Sequence, residues 1–430
     1  MKDGGRIAAA IEVLGEVEAR RRPVQDALKD WGNGHRFAGS GDRTIIGNLV
    51  FDALRHKQSL GWQMQDAGAR ALALATYALN WQQGLAKLEE VMADDRHAPE
   101  PLTDAERVGL TTPREDAAPD ATAADVPDWL WPAFSAALGG DAVAEGQALA
   151  RRAPIDMRAN TLKASRDKVL KRLAHIDLKE TSLSPYGLRV EPKPGAARLP
   201  HVQAEEGYRK GWFELQDEAS QIAALVAGAK PGEQVLDFCA GGGGKTLALA
   251  ALMENRGQIY AYDNDRLRLA PIHERLARAG ARNVQVRDPR TGTLEDLEGQ
   301  MDLVFVDAPC TGTGVWRRRP DSKWRLSEKA LADRIEEQAR VLDAAARFVK
   351  PGGRLVYATC SILDAENRDQ IEAFLARDAR FARKSAAESF AAALPGKPMP
   401  AHVSPEGHIL LTPATTDTDG FFLSVVTRVG

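Results

Sequence analysis

Two cysteines stand where covalent chemistry is possible. Cys310 follows the apolar stretch 303–306 in Asp-Ala-Pro-Cys, and Cys360 follows the apolar stretch 354–358 in Thr-Cys-Ser. Cys239 also comes directly after such a stretch. A buried cysteine is ordinarily a small hydrophobic residue. Because all three thiols follow stretches typical of buried strands, we expect them to share the ligand-binding edge of one sheet.

A pair of thiols suits one kind of methyl transfer. Carbon 5 of cytosine is a weak nucleophile towards a sulfonium methyl group, and attack of a thiolate on carbon 6 raises the electron density at carbon 5. A group bonded to ring atom N3, such as Asp307, would stabilise the charge of that intermediate. Methylation of an exocyclic nitrogen or a hydroxyl needs no thiol. The cysteines therefore indicate carbon 5 of a pyrimidine that is unpaired or flipped out of its stack.

A glycine-rich turn reads Cys-Ala-Gly-Gly-Gly-Gly-Lys-Thr from Cys239 to Thr246. Three kinds of site compete for it. A phosphate-binding P-loop requires a glycine five positions before Gly244, where this chain has a cysteine. A dinucleotide fingerprint requires G-x-G-x-x-G, and position 246 is threonine. An adenosylmethionine site requires a glycine turn after the first strand and an acid after the second, and the sequence favours this site.

Acidic residues stand at the ends of three successive predicted strands. They are Asp237, Asp263 after the strand 258–262, and Asp288 after the strand 284–287. Asp263 is placed to bind the ribose hydroxyls of the cofactor, and Asp288 is placed to bind its adenine amino group. In the alternative interpretation, each carboxylate only caps the helix that follows.

The second half of the chain predicts the fold that would position these residues. Strands are predicted at 235–238, 258–262, 284–287, 303–306 and 354–358, and helices at 246–253, 266–279 and 329–348. This alternation indicates a doubly wound, mostly parallel α/β sheet. Ligands of such sheets bind at the carboxyl ends of the strands.

The sequence before residue 214 predicts three further regions of the chain. Residues 1–92 carry apolar residues at helical spacing. Residues 93–128 are acidic and rich in proline, so we expect a partly disordered linker. Residues 129–213 are typical of a small α/β module, and the doubly wound domain occupies 214–430. The locally basic stretch 151–172 is a solvated face or a surface that contacts phosphates.

Composition bounds the location and the partners. The chain has 430 residues, a formal net charge of −3 and three cysteines. The overall charge gives no support for nucleic-acid binding, so such a surface must be local. The low cysteine content, the absence of a signal-peptide core and the absence of a long apolar run favour a cytoplasmic protein that does not span a membrane. We also expect a monomer and no bound metal.

Together these motifs resemble the NOP2/Sun family of RNA 5-methylcytosine methyltransferases, in particular its bacterial small-subunit rRNA members. The resemblance covers 212–375 and rests on the stretch 213–220, the glycine turn, the two cysteine motifs and the stretch 318–324. It implies a Rossmann-like class I domain with a mostly parallel, seven-stranded sheet. It also implies an RNA-binding module at 129–213 and an all-α NusB-like domain at 1–92.

The resemblance implies roles for the matching residues. Cys360 would attack carbon 6, Cys310 would assist product release, and Asp307 would contact the cytosine. In DNA cytosine methyltransferases the thiol of the Pro-Cys motif is the nucleophile, so the two roles are a real choice that the Thr-Cys-Ser context decides for Cys360. S-adenosylmethionine would be held by Cys239, Ala240, Gly241, Gly242, Gly243, Gly244, Lys245, Asp263, Arg268, Asp288 and Asp307.

The glycine turn departs from the family pattern at one place. The family usually reads Cys-Ala-Ala-Pro-Gly-Gly-Lys-Thr, and this chain has Gly241 and Gly242 in place of Ala-Pro. We expect a more flexible turn that loses more entropy when the cofactor binds. No functional side chain is lost.

Contacts to RNA are predicted in two places. The stretch 316–325 interleaves tryptophans with basic residues, which suits stacked bases and phosphates, or else forms a solvated loop with one packed tryptophan. The other place is the small module. The predicted RNA-contacting residues are Arg158, Asn160, Lys163, Arg318, Arg319 and Lys323.

Four functions are compatible with the sequence to different degrees. An RNA cytosine-5 methyltransferase that acts on small-subunit (16S) rRNA is favoured, and a DNA cytosine-5 methyltransferase is the next alternative. A non-catalytic rRNA-binding assembly factor is disfavoured by the intact Asp307, Cys310 and Cys360. A nicotinamide oxidoreductase is disfavoured by the missing G-x-G-x-x-G.

Overall fold

The structure, a computed structural model, describes residues 1–290 and 294–430. The chain packs as two compact units, each built from segments that are distant in sequence. The first unit contains Met1–Ala153, Pro192–Leu199 and Val315–Leu326. The second contains Pro154–Glu191, Pro200–Gly314 and Ser327–Gly430.

Helices occur in both units. The α-helices are α1 (Asp3–Arg20), α2 (Val24–Gly34), α3 (Ser40–Arg55), α4 (Lys57–Met64), α5 (Ala69–Ala75), α6 (Gly84–Ala93), α7 (Asp104–Thr111), α8 (Asp120–Ala123), α9 (Trp131–Leu138), α10 (Ala142–Leu149), α11 (Arg166–Arg172), α12 (Glu206–Arg209), α13 (Glu218–Ala227), α14 (Gly244–Leu252), α15 (Arg266–Leu269), α16 (Ile272–Ala279), α17 (Pro320–Arg325), α18 (Glu328–Ala346), α19 (Arg368–Arg377), α20 (Ala386–Ala393) and α21 (Pro413–Thr416). A π-helical turn at Thr76–Asn80 follows α5. Short 3₁₀ segments lie at Gly139–Asp141, Val202–Ala204, Glu295–Leu297, Thr313–Val315 and Asp364–Glu366.

The strands lie in the second unit. They are β1 (Ile155–Ala159), β2 (Lys179–Glu180), β3 (Gly187–Val190), β4 (Phe213–Leu215), β5 (Gln234–Asp237), β6 (Gln258–Tyr262), β7 (Val284–Arg287), β8 (Met301–Asp307), β9 (Val349–Thr359), β10 (Phe381–Lys384), β11 (His402–Val403), β12 (Ile409–Leu411) and β13 (Phe421–Arg428).

The first unit is helical because its apolar residues recur at helical spacing. In α1, Ile7, Ala10, Leu14 and Val17 stand three or four positions apart and are buried. This face of α1 packs against α3 and α5. Helices were predicted for the first 90 residues, and the structure has them there.

Residues 93–128 are folded, in contrast to the disorder predicted for them. Helix α7 begins at a capping box, in which the Thr103 hydroxyl accepts from the Glu106 N–H (3.2 Å) and the Glu106 carboxylate accepts from the Thr103 N–H (2.8 Å). Buried Asp125 accepts bonds from the N–H groups of Gln58 (2.9 Å) and Ser59 (3.0 Å) at the start of α4. Acidic residues that suggested disorder are therefore used as helix caps.

The tryptophan-rich segment Val315–Leu326 is packed in the first unit. The Trp316 ring stacks on Phe134 with a centroid distance of 5.9 Å. The Trp324 indole N–H donates to the carbonyl oxygen of Leu54 at 2.6 Å. The segment is therefore part of a helical core, and its tryptophan rings are held by aromatic and hydrogen-bonded partners.

Two sheets form the second unit. The smaller is antiparallel, in the order β2-β3-β1-β4. The larger has the order β11-β12-β13-β9-β8-β5-β6-β7, and β10 also pairs with β13. Strands β5 to β9 are parallel to their neighbours in this group, whereas β10 to β13 pair antiparallel. This arrangement confirms the predicted mostly parallel, doubly wound fold.

The larger sheet differs in two details from the prediction. In the part of the chain that the structure describes, this sheet has nine strands rather than the predicted seven, because the short strands β10 and β11 add to its antiparallel side. The helix predicted at 266–279 is divided into α15 and α16, with Pro271 between them. Proline lacks the N–H group that would continue the first helix, so the chain restarts as a second helix.

All three cysteines are free thiols. In the described ranges 1–290 and 294–430, we find no helix whose length and apolar character would allow it to cross a membrane.

Candidate active site

Two parallel strands bring the paired thiols together. Strands β8 and β9 are neighbours, with Asp307 opposite Ala358 in the register, so the loops that follow them leave the same edge of the sheet. The Cys310 Sγ lies 3.3 Å from the Cys360 Sγ. Both side chains are half-buried. The edge predicted from the sequence therefore holds a thiol pair within hydrogen-bonding distance.

The neighbouring Cys360 affects the protonation of Cys310. The hydrogen bond to Cys360 raises the pKa of Cys310 well above its usual range, and burial adds to this effect. Cys310 therefore holds its proton at neutral pH in this arrangement. Cys239, at the glycine turn, is a separate thiol whose pKa is raised by burial and by the nearby Asp263 carboxylate.

A lysine–aspartate pair lies beside the thiols. The Lys245 ammonium donates to Asp307 Oδ2 at 2.5 Å and lies 4.9 Å from the centre of the Phe421 ring. Burial alone would lower the pKa of Lys245, but attraction to Asp307, with a smaller contribution from Cys360, raises it. Lys245 is therefore a persistent positive charge at the strand ends.

The glycine turn needs its glycines for backbone reasons. Gly243 precedes α14 with φ of +83°, and a Cβ atom there would come within 2.5 Å of Ile272 Cγ1. Gly241 has φ of +49°, and its N–H donates to Asp263 Oδ2 at 2.9 Å. Both conformations are costly for a residue with a side chain. The turn is thereby held against the end of β6.

The other predicted cofactor residues occupy the same edge of the sheet. Asp263 is 2% exposed and also accepts from the Asp265 N–H at 2.8 Å. The guanidinium of Arg268 is near the turn, 3.8 Å from where a Cβ atom of Gly241 would stand. Asp288 lies at the end of β7, more exposed, and its nearest cation is Arg266 at 3.7 Å.

Asp237 is a further buried carboxyl group, at the end of β5. Its Oδ2 accepts from the Thr246 hydroxyl at 2.6 Å, and its buried Oδ1 has no hydrogen-bond partner among residues 1–290 and 294–430. Burial raises the pKa of Asp237 to about 7; the Thr246 bond opposes this shift and Asp307 adds to it. An unpaired carboxyl oxygen beside the glycine turn fits a ligand that brings an amino group, as adenosylmethionine does.

We predict that Asp237 makes stability depend on pH. Because its folded-state pKa is raised above the ordinary 3.8, its contribution is fully present below about pH 4 and is lost as the pH rises towards 7. Asp237→Asn should remove this loss, which amounts to about 2 kcal/mol between pH 5.5 and 7 at ~1.4 kcal/mol per pH unit. The free energy of unfolding of both proteins, measured in urea at pH 5.5 and at pH 8.5, gives the size of this loss.

A matched control for this experiment is Asp302→Asn. Asp302 lies near the start of β8, and its pKa is lowered, with the Gln234 N–H and Lys350 outweighing burial. It should not titrate between pH 5.5 and 8.5. An Asp237→Asn protein with the same pH dependence as the wild type would show that Asp237 is charged throughout this range.

Two residues predicted to contact RNA are buried structural groups. Arg158 Nε donates to Gln216 Oε1 at 2.6 Å, and burial lowers the pKa of Arg158 to about 10. The Asn160 amide donates to the carbonyl oxygens of Gly211 and Ala279, each at 2.8 Å. Both side chains are less than 5% exposed, so the structure does not support contact with RNA for either residue.

The remaining predicted RNA contacts divide between surface and interior. Lys163 is exposed and donates to the carbonyl oxygen of Arg278 at 2.6 Å. Arg318 is half-buried, and Arg319 is exposed. Lys323 is 1% exposed and donates to the carbonyl oxygen of Arg55 at 3.1 Å, so it is not available to RNA. Burial also lowers the pKa of Lys323 to about 8.

From the sequence, Asp237 was named only as one of three acids at strand ends, with no contact to the cofactor assigned to it. Glu366 was not named at all. Glu366 lies six residues after Cys360, immediately before Asn367 and α19. An acid at this position is also typical of the start of a helix, so its presence in the sequence does not indicate a role in the site. In the described ranges, no cluster of three or more histidine, cysteine or acidic side chains is suited to hold a metal ion.

Comparisons with known proteins show which family this chain is similar to. Residues 224–427 match the family described as 16S rRNA methyltransferase RsmB/F, and residues 126–195 match the ferredoxin-like domain of RsmF/B-like methyltransferases. The chain is therefore similar to the RsmB/F family over these two regions. This result confirms the resemblance to NOP2/Sun-type enzymes and, within them, to the bacterial enzyme RsmB.

Two curated relatives carry the name of this type of enzyme, and one solved structure shares the fold. The chain is 36% identical over 259 residues to the probable ribosomal RNA small subunit methyltransferase B of Synechocystis sp., which covers 58% of this chain and 56% of the relative. It is 38% identical to the ribosomal RNA small subunit methyltransferase B of Sodalis glossinidius, over 58% of this chain and 57% of the relative. The matched region thus spans little more than half of these relatives. The crystal structure of the protein PH0851 is 25% identical, with a TM-score of 0.72 and 99% of each chain covered.

Proposed function

We propose that this chain is a member of the RsmB/F family and transfers a methyl group from S-adenosylmethionine to carbon 5 of a cytosine in small-subunit rRNA. The observation that carries the proposal is the pair of thiols, Cys310 and Cys360, 3.3 Å apart beside the Lys245–Asp307 ion pair. Paired thiols next to a fixed cation suit covalent catalysis on a pyrimidine and have no use in methylation of a hydroxyl or an amine. A monomer in the cytoplasm remains our prediction.

The residues at the strand ends fit the cofactor. Asp263 and Arg268 would hold its ribose side and Asp288 its adenine, whereas the unpaired Oδ1 of Asp237 and the glycine turn suit its amino acid end. When bound there, the cofactor supplies an electrophilic methyl group on a sulfonium ion.

Cys360 would begin the reaction as the nucleophile. The Lys245 ammonium, whose pKa is raised by Asp307 and to a smaller extent by Cys360 against the effect of burial, supplies a positive charge close to this thiol. The sulfur would bond to carbon 6 of the cytosine, and the electron pair would move towards carbon 5. Asp307, held by Lys245, would contact ring atom N3 and stabilise the charge of the intermediate.

Cys310 would complete the reaction as the base. The hydrogen bond to Cys360 is the main cause of the raised pKa of Cys310, and this bond is lost once Cys360 is bonded to carbon 6. Cys310 can then lose its proton to solvent and remove the proton from carbon 5. The bond between carbon 6 and Cys360 breaks, and its electron pair returns to the Cys360 sulfur. Product and free enzyme result.

The test uses adenosylmethionine with a trideuterated methyl group. The full-length protein is incubated with small-subunit rRNA and, separately, with single-stranded DNA of matched sequence, and nucleosides are identified by mass spectrometry. We expect deuterated 5-methylcytidine from the rRNA. Methylation of DNA alone would favour the DNA-type alternative. Binding of rRNA without any methylation would favour the assembly factor.

A surface cluster around Trp212 is the place where we propose that RNA phosphates bind. Lys168, Lys210 and Arg172 lie 4.3, 5.4 and 5.9 Å from the centre of the Trp212 ring, and all three side chains are exposed. One acid, Glu206, pairs with Lys210. This Trp212 cluster replaces the buried Arg158 and Asn160 as the RNA-contacting part of the small sheet.

We predict that the double substitution Lys168→Ala and Arg172→Ala weakens RNA binding without changing sequence preference. Each lost phosphate contact costs about fivefold in affinity at ~0.15 M salt and lowers the slope of log K against log salt by about 1. Filter binding from 0.05 to 0.3 M salt measures both. Lys329→Ala, a lysine of α18 paired with Asp333 at 2.9 Å, is the control. An unchanged salt slope in the double variant would place the RNA elsewhere.

A further inference from the structure

A single buried carboxylate, that of Glu366, joins the loops of the two thiols. Its Oε2 accepts from the hydroxyl groups of Thr311 and Ser361, each at 2.5 Å. Its Oε1 accepts from the Thr311 N–H at 2.8 Å and from the Gln338 side-chain amide at 3.0 Å. The Glu366 side chain is 0% exposed. Both oxygens are therefore fully engaged inside the second unit.

The partners of Glu366 are the immediate neighbours of the thiols. Thr311 directly follows Cys310, and Ser361 directly follows Cys360. Gln338 adds a second link to the first loop, because its amide also donates to the carbonyl oxygen of Pro309 at 2.9 Å. Movement of either loop would thus break a bond to the same carboxylate.

Further bonds join the two loops around this carboxylate. The Thr313 and Ser361 hydroxyls are 3.0 Å apart, and the Gly314 N–H donates to the carbonyl oxygen of Cys360 at 2.9 Å. The Tyr357 hydroxyl donates to the carbonyl oxygen of Glu366 at 2.7 Å. Hydrogen bonds that converge on one buried carboxylate strengthen one another, and loss of one member weakens the rest.

In the described part of the chain, the partners of Glu366 are neutral donors and include no cation. A carboxylate buried in this way is costly, and a neutral residue of similar size would suffice to fill the space. Its negative charge therefore calls for an explanation beyond packing. The charge lies close to Cys310, on which it acts electrostatically.

We propose that Glu366 is a positioning residue that fixes the distance between the two thiols and decides which of them attacks. This inference rests on the proposed function, because it assigns Glu366 to the thiol chemistry described there. The bonds to Thr311 and Ser361 fix the geometry. The negative charge disfavours a second anion at Cys310, so Cys310 keeps its proton and Cys360 is the nucleophile.

The raised pKa of the Cys310 thiol agrees with this arrangement. Its pKa is raised first by the bond to Cys360, then by burial, and further by the charges of Cys360 and Glu366. Removal of the Glu366 charge should lower the pKa of Cys310. Removal of the whole side chain should also release the two loops.

Two substitutions separate charge from geometry. Glu366→Gln keeps the shape of the side chain: its amide oxygen can accept from the Thr311 N–H and Gln338, and its amide nitrogen can donate to the two hydroxyl oxygens. Glu366→Ala removes both charge and bonds. Glu372→Gln is the matched control, because Glu372 is a half-exposed acid of α19 that pairs with Arg383.

The experiment measures the reactivity of each thiol without RNA. The full-length protein is alkylated with iodoacetamide between pH 6 and 10, and the rates at Cys310 and Cys360 are read from their peptides by mass spectrometry. We expect wild type and Glu372→Gln to react at Cys360 first. In Glu366→Gln the midpoint for Cys310 should move to lower pH by about one unit, with unchanged unfolding temperature.

Methyl transfer provides the second measurement. We expect kcat to fall roughly 10-fold in Glu366→Gln and at least 100-fold in Glu366→Ala, with little change in KM for the cofactor, as for loss of transition-state interactions only. Alkylation profiles of Glu366→Gln identical to those of the wild type would overturn the proposal, whether or not Glu366→Ala folds. Absence of methyl transfer by the wild type would instead overturn the proposed function, since alkylation needs neither RNA nor cofactor.

Discussion

Cys310→Ala should accumulate a covalent complex between protein and RNA, whereas Cys360→Ala should form none. In Cys310→Ala, Cys360 can still attack carbon 6, but the base that removes the proton from carbon 5 is missing, so the sulfur–carbon bond persists. In Cys360→Ala the nucleophile itself is missing, and methyl transfer should fall by at least ~10⁴-fold. The asymmetry follows from the proposed roles, in which Cys360 attacks carbon 6 and Cys310 removes the proton from carbon 5.

Denaturing electrophoresis and mass spectrometry of the protein with cofactor and rRNA fragments measure this complex. The double variant Cys310→Ala and Cys360→Ala is the control and should form no complex. A complex that persists without Cys360 and vanishes without Cys310 would reverse the two roles. The DNA-type assignment, in which the Pro-Cys thiol attacks, would then be correct.

Asp307→Asn should reduce the rate of methyl transfer about 10²- to 10³-fold, the size expected for one lost electrostatic contact in a transition state. Two causes act together. The contact to ring atom N3 loses its charge, and Lys245 loses the carboxylate that lies 2.5 Å from its ammonium group. Lys245 would then be less firmly held beside Cys360. Single-turnover methyl transfer at saturating cofactor measures the chemical step.

The control lies on the same strand. Asp302, near the start of β8, pairs with Lys350 at the opposite end of the strand from the thiols. Asp302→Asn should therefore leave the rate within a factor of about two, as for surface changes generally. If Asp307→Asn were as active as Asp302→Asn, the cytosine would be bound by another group.

The parallel strands were predictable because their signal is local. Strands β6 and β7 have the predicted bounds, 258–262 and 284–287. Strand β9 (Val349–Thr359) is longer than the predicted stretch 354–358, because Val349 also pairs with Met301 of β8 and Thr359 with Phe422 of β13. The meeting of Cys310 and Cys360 was also predictable, since parallel strands end at one edge of a sheet.

The missed features depend on burial that sequence spacing does not reveal. Lys323 stands between basic residues and tryptophans, which suggested an RNA surface, yet its ammonium lies 4.7 Å from the Trp324 ring and 5.6 Å from the Trp316 ring inside a helical core. Arg158 lies in β1, against which helix α13 packs, and its guanidinium donates to the Gln216 side chain, so this residue is covered although its type suggested the surface.

In the acidic segment 93–128, the sequence contains a signal for a helix start, but signals for disorder outweighed it. Thr103 and Glu106 form the S/T-x-x-E spacing of a capping box, but five prolines and an excess of acids pointed to disorder. For Glu366 the sequence contains no such signal. Its proposed role depends on hydrogen bonds from Thr311 and Ser361, which come close to Glu366 only in the folded chain. The NusB-like character of residues 1–92 remains a prediction.

The most direct measurement uses rRNA in which 5-fluorocytidine replaces cytidine. After methyl transfer, carbon 5 carries fluorine in place of the proton that must leave, so the enzyme should remain bonded to carbon 6. Digestion and mass spectrometry of the wild-type protein with deuterated cofactor should show one peptide, containing Cys360, that carries a nucleotide with a deuterated methyl group. The account would be contradicted if the nucleotide were bonded to Cys310, or if methyl transfer proceeded on this RNA with no protein–RNA bond.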